Sequence, residues 1–126
     1  MPEPDAPILD PAVLAELAES VGGDRAFVVD LVETYLADGT TQLSDIEGAF
    51  ATNDAAAIVR PAHTLKSSSA TVGAMQLAAV ARGVEVAGRS GSLDGLAPEI
   101  DAGTLHDAWD RAAAALRGWI EAGETS

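Results

Sequence analysis

The sequence predicts an all-α protein, an antiparallel four-helix bundle with an additional short N-terminal helix. Two observations support this fold class. The 126 residues are rich in Ala, Leu and Val and poor in aromatic residues, which favours closely packed helices over a sandwich of β-branched strands. Apolar residues also recur at helical spacing along most of the chain, and no segment alternates apolar and polar residues long enough to indicate a strand.

Two aspartates mark the starts of the first two helices. Asp10-Pro11 is typical of an N-cap followed by proline at the first helical position, and the glycines at 22–23 end this short helix. Asp24 caps a longer helix that continues to about residue 50. Its first half has a wide apolar band, which indicates burial against two neighbours, one of them the short first helix. Gly39 weakens the middle of this helix, so a break there is an alternative.

Three further helices complete the predicted bundle. The third begins at Asp54 and contains Pro61, which removes one backbone hydrogen bond and is expected to bend the helix. The fourth covers about residues 74–88 and is followed by a loop rich in Gly and Ser. The last helix covers about residues 98–122, where apolar residues again follow helical spacing.

Composition excludes several classes of function. The net charge of −13 would repel a phosphate backbone, so nucleic-acid binding is not expected. No apolar run approaches the roughly 20 residues of a membrane helix, and the absence of cysteine removes disulfides, thiol nucleophiles and Cys-based zinc sites. The N-terminus does not resemble a secretory signal. We expect a monomeric, cytoplasmic protein with a flexible leader (1–7), one helical bundle (8–122) and a tail (123–126).

Basic residues surround His63 in this acidic chain. Arg60 precedes it, and Lys66, the one lysine of the sequence, follows it by three positions. At roughly 100° per residue, Ile58 and Leu65 belong to an apolar stripe that packs into the bundle, so His63 is predicted to point to solvent on the opposite side. The residues sharing its face are Val59, Arg60, Lys66, Ser67 and Ala70.

This face suits a group that carries charge. A neutral imidazole keeps one unprotonated nitrogen and can act as a nucleophile. Lys66, one turn away, disfavours the imidazolium and favours a dianionic group on the ring. Ser67 and Ala70 are small enough to admit a partner, and Val59 offers an apolar contact. The face has no carboxylate one turn from His63 that could orient it as a general base, and no serine–histidine–acid arrangement is present.

The segment AHTLKSSSATVGA, residues 62–74, resembles the signature of histidine-containing phosphotransfer (HPt) domains, whose pattern is H-x-L-K-[GS]-S-S-x-x-x-G. The resemblance extends over about residues 8–122 and implies the same bundle. It implies that His63 is phosphorylated on Nε2 and that Lys66 is the cation near the phosphoryl group. Ser67 stands where the family most often has glycine, as the small residue that lets the partner approach.

The resemblance also assigns supporting residues. Ser68 and Ser69 would seat the histidine helix against the next one. Glu85 lies on the following helix, where family members often carry Glu or Gln facing the site. Partner docking is expected at Val59, Arg60, Ala70 and Glu85.

The resulting hypothesis is a phosphoryl carrier without its own kinase activity, since the sequence has no phosphate-binding glycine loop. His63 would take a phosphoryl group from a receiver-domain aspartate, or from a hybrid histidine kinase, and pass it to another receiver domain. No cofactor or metal of its own is expected, and the Mg²⁺ that assists transfer would belong to the receiver. Arg60 and Lys66 would complement the acidic pocket of that receiver.

Two alternatives remain open at this point. The first is a helical adaptor that uses the His63 face only for binding. The second is the phosphoacceptor module of a larger histidine kinase. Against the second, Thr64 follows the histidine at a position where such kinases usually have an acidic residue. His106, flanked by Asp107 and Asp110, is expected to be a solvated residue without a role. The spacing of Arg82, Glu85 and Arg89 is more typical of a solvated face than of a binding site.

Overall fold

The computed structural model describes residues 6–91, 93 and 102–124, and all the regular structure within them is helical. The helices are α1 (Pro11–Ser20), α2 (Arg25–Ala51), α3 (Ala55–Thr71), α4 (Met75–Arg89) and α5 (Ala102–Glu124). The prediction of an all-α fold is confirmed. The expected start of the last helix near residue 98, most of the loop before it, residues 1–5 of the leader and residues 125–126 of the tail lie outside the described residues.

The four longer helices pack as a bundle. α3 lies against both α2 and α4, and α5 closes the arrangement by contacting α4 and α2. α1 packs on α2 and buries Leu14 completely. Among the described helices, none combines the length and apolarity needed to span a membrane.

Three aspartates cap helices as the sequence predicted. The side chains of Asp10, Asp24 and Asp54 accept hydrogen bonds from backbone amides of the first turns of α1, α2 and α3, at 3.0, 3.1 and 3.1 Å. Each carboxylate satisfies an amide that has no partner within its helix. These caps explain why the predicted helix starts agree closely with the structure.

The alternative of a break at Gly39 is wrong, because α2 is continuous through this position. Gly39 is buried under the indole of Trp109, and a Cβ at this position would overlap that ring. Trp109 also contacts Tyr35, with the ring centroids 5.6 Å apart. The glycine therefore permits close packing of α5 on α2, and that packing outweighs its weak helix propensity.

The turn between α3 and α4 is tied to the start of the chain. Gly73 has a φ of +83°, and a Cβ there would lie 2.7 Å from the carbonyl oxygen of Asp10. Its own carbonyl accepts from the amide of Asp10 at 2.8 Å, and the amide of Gln76 donates to the carbonyl of Pro7 at 2.9 Å. This turn requires glycine for both its backbone angle and its space.

The rotation of α3 about its axis is fixed by contacts on both sides. Its buried residues are Ile58, Ala62, Leu65 and Ser69. The hydroxyl of Ser69 is hydrogen-bonded to that of Tyr35 on α2, at 2.7 Å. On the other side, Gly88 of α4 lets that helix approach Ile58 closely. The opposite face of α3, with His63, consequently faces outward.

Candidate functional site

His63 lies near the middle of α3, and 54% of its side chain is exposed. Its Nδ1 atom is 3.0 Å from Oε2 of Glu85 on α4. The solvent-facing orientation predicted from the helical spacing is confirmed. No acidic residue lies one turn from His63 on α3 itself, so this carboxylate comes from α4, where the resemblance placed Glu85 facing the site.

Glu85 is the centre of a hydrogen-bond network, although only 4% of the residue is exposed. Lys66 donates from Nζ to Oε1 at 2.6 Å. Arg89, one turn further along α4, donates from Nε and Nη2 to Oε2 at 3.0 and 2.8 Å. A buried carboxylate requires such partners, and here two cations and an imidazole supply them.

These contacts keep Glu85 ionised. The hydrogen bond from Lys66 is the largest cause that lowers the pKa of this carboxyl, and Arg89 and His63 add to the effect. Burial acts in the opposite direction but is outweighed, so the pKa falls from 4.5 to about 2. The site therefore holds a full negative charge behind the imidazole at neutral pH.

The ionised carboxylate determines the tautomer of His63. A carboxylate only accepts hydrogen bonds, so the ring nitrogen that faces it, Nδ1, carries the proton. In the neutral ring the lone pair then resides on Nε2. A carboxylate that orients an imidazole and stabilises positive charge on it is the same device that serine hydrolases use behind their histidine. The arrangement makes Nε2 a well-oriented nucleophile.

Other predicted site residues lie on the same face of α3. Arg60, Ser67 and Ala70 are exposed, and Val59 is half-buried where it packs near Gly88. Small side chains thus follow His63 by one and two turns, which leaves open space above the ring.

The expected docking role of Glu85 is contradicted by its burial. A side chain with so little exposed surface cannot form a contact area for a partner. The interpretation of Arg82, Glu85 and Arg89 as a solvated face is wrong for Glu85, which is buried against α3. Arg82 and Arg89 are exposed, as that interpretation expected, and Arg89 nevertheless donates to the Glu85 carboxylate. The resemblance had placed Glu85 facing the site, and a second sequence signal agrees with that position: Glu85 is the only acidic residue between Asp54 and Asp94.

Ser68 and Ser69 were expected to hold α3 against the next helix, α4, but none of their side-chain hydrogen bonds reaches α4. Ser69 connects α3 to the preceding helix through its bond to Tyr35. Ser68 donates to the carbonyl of Thr64 within α3, at 2.9 Å. Burial raises the pKa of Tyr35 to about 12, so its hydroxyl stays protonated and the pair remains neutral. Ser69 fixes the rotation of α3, on which the position of His63 depends.

His106 provides a contrast to His63. Its Nδ1 lies 2.7 Å from Oε1 of Glu47 on α2, and its Nε2 lies 3.6 Å from Asp110. The hydrogen bond with Glu47 is the main cause that raises the pKa of His106. With a carboxylate near each nitrogen, the ring favours the imidazolium, which is a poor nucleophile. In the described part of the chain, no group of three or more potential ligands could hold a metal ion.

The family model of the Hpt domain matches residues 30–119, which include α3, α4 and every residue of the network around Glu85. The chain belongs to the Hpt domain family. Hpt domains are phosphocarrier modules and not kinases, and the family implies partners among response regulators or kinases of phosphorelays.

A solved structure supports the assignment of this Hpt domain. The chain is similar to histidine-containing phosphotransfer protein B (HptB) from Pseudomonas aeruginosa PAO1, with a TM-score of 0.80 and 26% sequence identity. The similarity covers 93% of this chain and 97% of the other. Among curated proteins, none matches the sequence significantly. Together, the family and the fold support a histidine phosphotransfer protein.

Proposed function

We propose that this Hpt domain relays phosphoryl groups between receiver-domain aspartates through Nε2 of His63. The observation that carries the proposal is the hydrogen bond between Nδ1 of His63 and the ionised, buried Glu85. It supports an exposed ring that is held with Nδ1–H on the carboxylate, so that the lone pair of the neutral form lies on Nε2. An adaptor that only binds a partner would have no need of this buried charge.

The chemical step follows from that tautomer. The Nε2 lone pair attacks the phosphorus of an aspartyl phosphate on the receiver domain; the N–P bond forms while the P–O bond breaks, and the aspartate leaves as a carboxylate. The ring keeps its proton on Nδ1 and gains positive charge, which Glu85 stabilises at 3.0 Å. Transfer to a second receiver is the same step in reverse.

Lys66 and Ser67 complete the proposed phosphoryl site. Lys66 follows His63 by one turn of α3 and is one-third exposed, so its ammonium is within reach of a group on Nε2. Ser67 is exposed and small, and its hydroxyl is a potential donor to a phosphoryl oxygen. Among the described residues no carboxylate pocket for Mg²⁺ lies at this face, and we assign that ion to the receiver domain.

Docking is proposed on the α3 face around His63. Arg60 is exposed and positively charged, Ala70 is exposed and small, and Val59 provides apolar surface at the edge. The phosphorylated pocket of a receiver domain is acidic, so a basic face complements its charge. Glu85 acts from behind the ring instead of on this surface.

The proposal is tested by incubating the protein with a ³²P-labelled receiver domain. We expect acid-labile, alkali-stable label on the wild type and on His106→Gln, and none on His63→Gln. Equal labelling of His63→Gln would eliminate His63 as the acceptor. If several receivers leave the wild type unlabelled, the adaptor alternative is favoured. Labelling by the ATP-dependent catalytic domain of a histidine kinase without a receiver would favour the kinase-module alternative.

A further inference from the structure

We propose that Arg89 is a positioning residue that holds the charge of Glu85 so that Lys66 can leave this carboxylate and bind the phosphoryl group. The inference rests on the proposed function, since it concerns the phosphorylated state of His63. Of the two cations that contact the Glu85 carboxylate, Arg89 stays in place and Lys66 moves to the phosphoryl group.

The two oxygens of Glu85 have different partners. Oε2 accepts from Nδ1 of His63 at 3.0 Å and from both Nε and Nη2 of Arg89. Oε1 accepts from Nζ of Lys66. Loss of the lysine contact would therefore leave the oxygen that orients the imidazole undisturbed. Loss of Arg89 would remove two donors from that oxygen.

The charges of the cluster support the same division. Before transfer, in the nucleophilic form whose imidazole is neutral, the Glu85 carboxylate and the two cations sum to one positive charge. After transfer the ring carries a positive charge, because it keeps its Nδ1 proton, and the phosphoryl group is dianionic at neutral pH. The phosphorylated cluster is then neutral only if Arg89 is present. Without Arg89, Glu85 and the phosphoryl group compete for a single ammonium group.

The side-chain chemistry decides which cation moves. Lys66 lies on the same helix as His63, and its ammonium is a compact charge on a flexible stem. Arg89 lies on α4 one turn after Glu85, and its planar guanidinium places two parallel donors on one oxygen. Lys66 is therefore the cation that can reach the phosphoryl group without any movement of a helix.

The experiment uses the fact that Lys66 is the only lysine of the chain, so the protein has a single lysine Nζ resonance in ¹⁵N NMR. Phosphoramidate, a small-molecule donor that releases ammonia on transfer, would phosphorylate His63 without a receiver domain. We expect the Nζ resonance to shift on phosphorylation in the wild type and in Arg82→Ala. In Arg89→Ala it should stay close to its unphosphorylated position.

Arg82→Ala is the matched control because Arg82 is an exposed arginine on the same helix whose removal changes the net charge equally. The lifetime of the phosphohistidine gives a second readout. Arg89→Ala should shorten it about three- to tenfold, the range expected for a partly exposed charged contact. Adding Arg89→Ala to Glu85→Gln should change the lifetime little, because an amide has no charge to balance.

Three results would overturn the inference. One is an equal Nζ shift in the wild type and Arg89→Ala. Another is an equal loss of lifetime in Arg82→Ala, which would indicate net charge alone. The third is an undiminished effect of Arg89→Ala in the Glu85→Gln background. Failure of receivers to label the wild type, with phosphoramidate labelling intact, would instead contradict the proposed relay and leave the Arg89 result interpretable.

Discussion

At the residue scale, Glu85 explains how a surface histidine becomes a candidate phosphoacceptor. The carboxylate is nearly inaccessible, yet an imidazole, an ammonium group and a guanidinium all donate to it. His106, by contrast, has exposed carboxylates near both ring nitrogens. A single carboxylate on Nδ1 leaves the opposite nitrogen available, and carboxylates on both sides do not.

Glu85 should give the stability of the protein a specific pH dependence. The pKa of its carboxyl in the folded protein is about 2, below its ordinary value of 4.5, so its ionised form stabilises the fold above pH 4.5. That contribution should be lost as the pH falls from about 4.5 towards 2. Urea unfolding at stepwise lower pH should therefore show the stability difference between wild type and Glu85→Gln shrinking over this window.

The control for this experiment is Glu33→Gln, which neutralises an exposed carboxylate on α2. Its stability difference from the wild type should vary little over the same pH range, because an exposed group interacts weakly. A constant difference between wild type and Glu85→Gln would contradict the assignment of Glu85 as the buried ionised centre.

At the scale of the elements, two glycines in α2 differ in their effect on stability. Gly39 lies against the Trp109 ring, with no space for a side chain, while Gly48 has no atoms within 4 Å of an added Cβ. Both weaken the helix backbone to a similar extent. Only at Gly39 is this loss of helix stability offset, because the missing side chain allows close contact between α2 and α5. That contact closes the bundle on the side away from α3.

Alanine at these two positions should therefore change stability in opposite directions. Gly39→Ala should destabilise the fold by about 1–3 kcal/mol, because the added methyl overlaps a buried indole. Gly48→Ala should stabilise it by up to about 1 kcal/mol through helix propensity alone. Thermal and urea unfolding would measure both. Stabilisation by Gly39→Ala would show that the Trp109 contact is not close enough to require glycine.

At the scale of the whole molecule, charge is distributed unevenly. α3 and α4 carry four of the seven basic residues, and nineteen of the twenty acidic residues lie outside these two helices. The one acidic residue they contain, Glu85, is buried. The surface around His63 is consequently basic on a protein of net charge −13. Such an arrangement favours encounters in which an acidic partner meets the α3 face.

Removing one exposed charge from this face should slow association with a receiver domain. We expect Arg60→Ala to lower the association rate about two- to fivefold at low salt. The difference in rate between the wild type and the variant should vanish near 1 M salt, because the screening length there is only about 3 Å. Stopped-flow association rates at several salt concentrations would measure it. Arg117→Ala, which removes an exposed charge from α5, should have a smaller effect. Equal effects of the two variants would show that only net charge matters.

The sequence by itself determined the helices, their capped starts and the outward direction of His63. These features depend on short-range physics, because a cap bonds within one turn and the face of a helix follows from its period. Tertiary structure alone decided that α2 passes unbroken through Gly39 and that Glu85 lies behind His63. Both depend on how neighbouring helices rotate against each other, which the packing of Ser69 on Tyr35 and of Gly88 on Ile58 sets across the bundle. Spacing along one helix carries no information about such contacts, so it predicts neither the burial of Glu85 nor the hydrogen bonds from the exposed Arg89 to it.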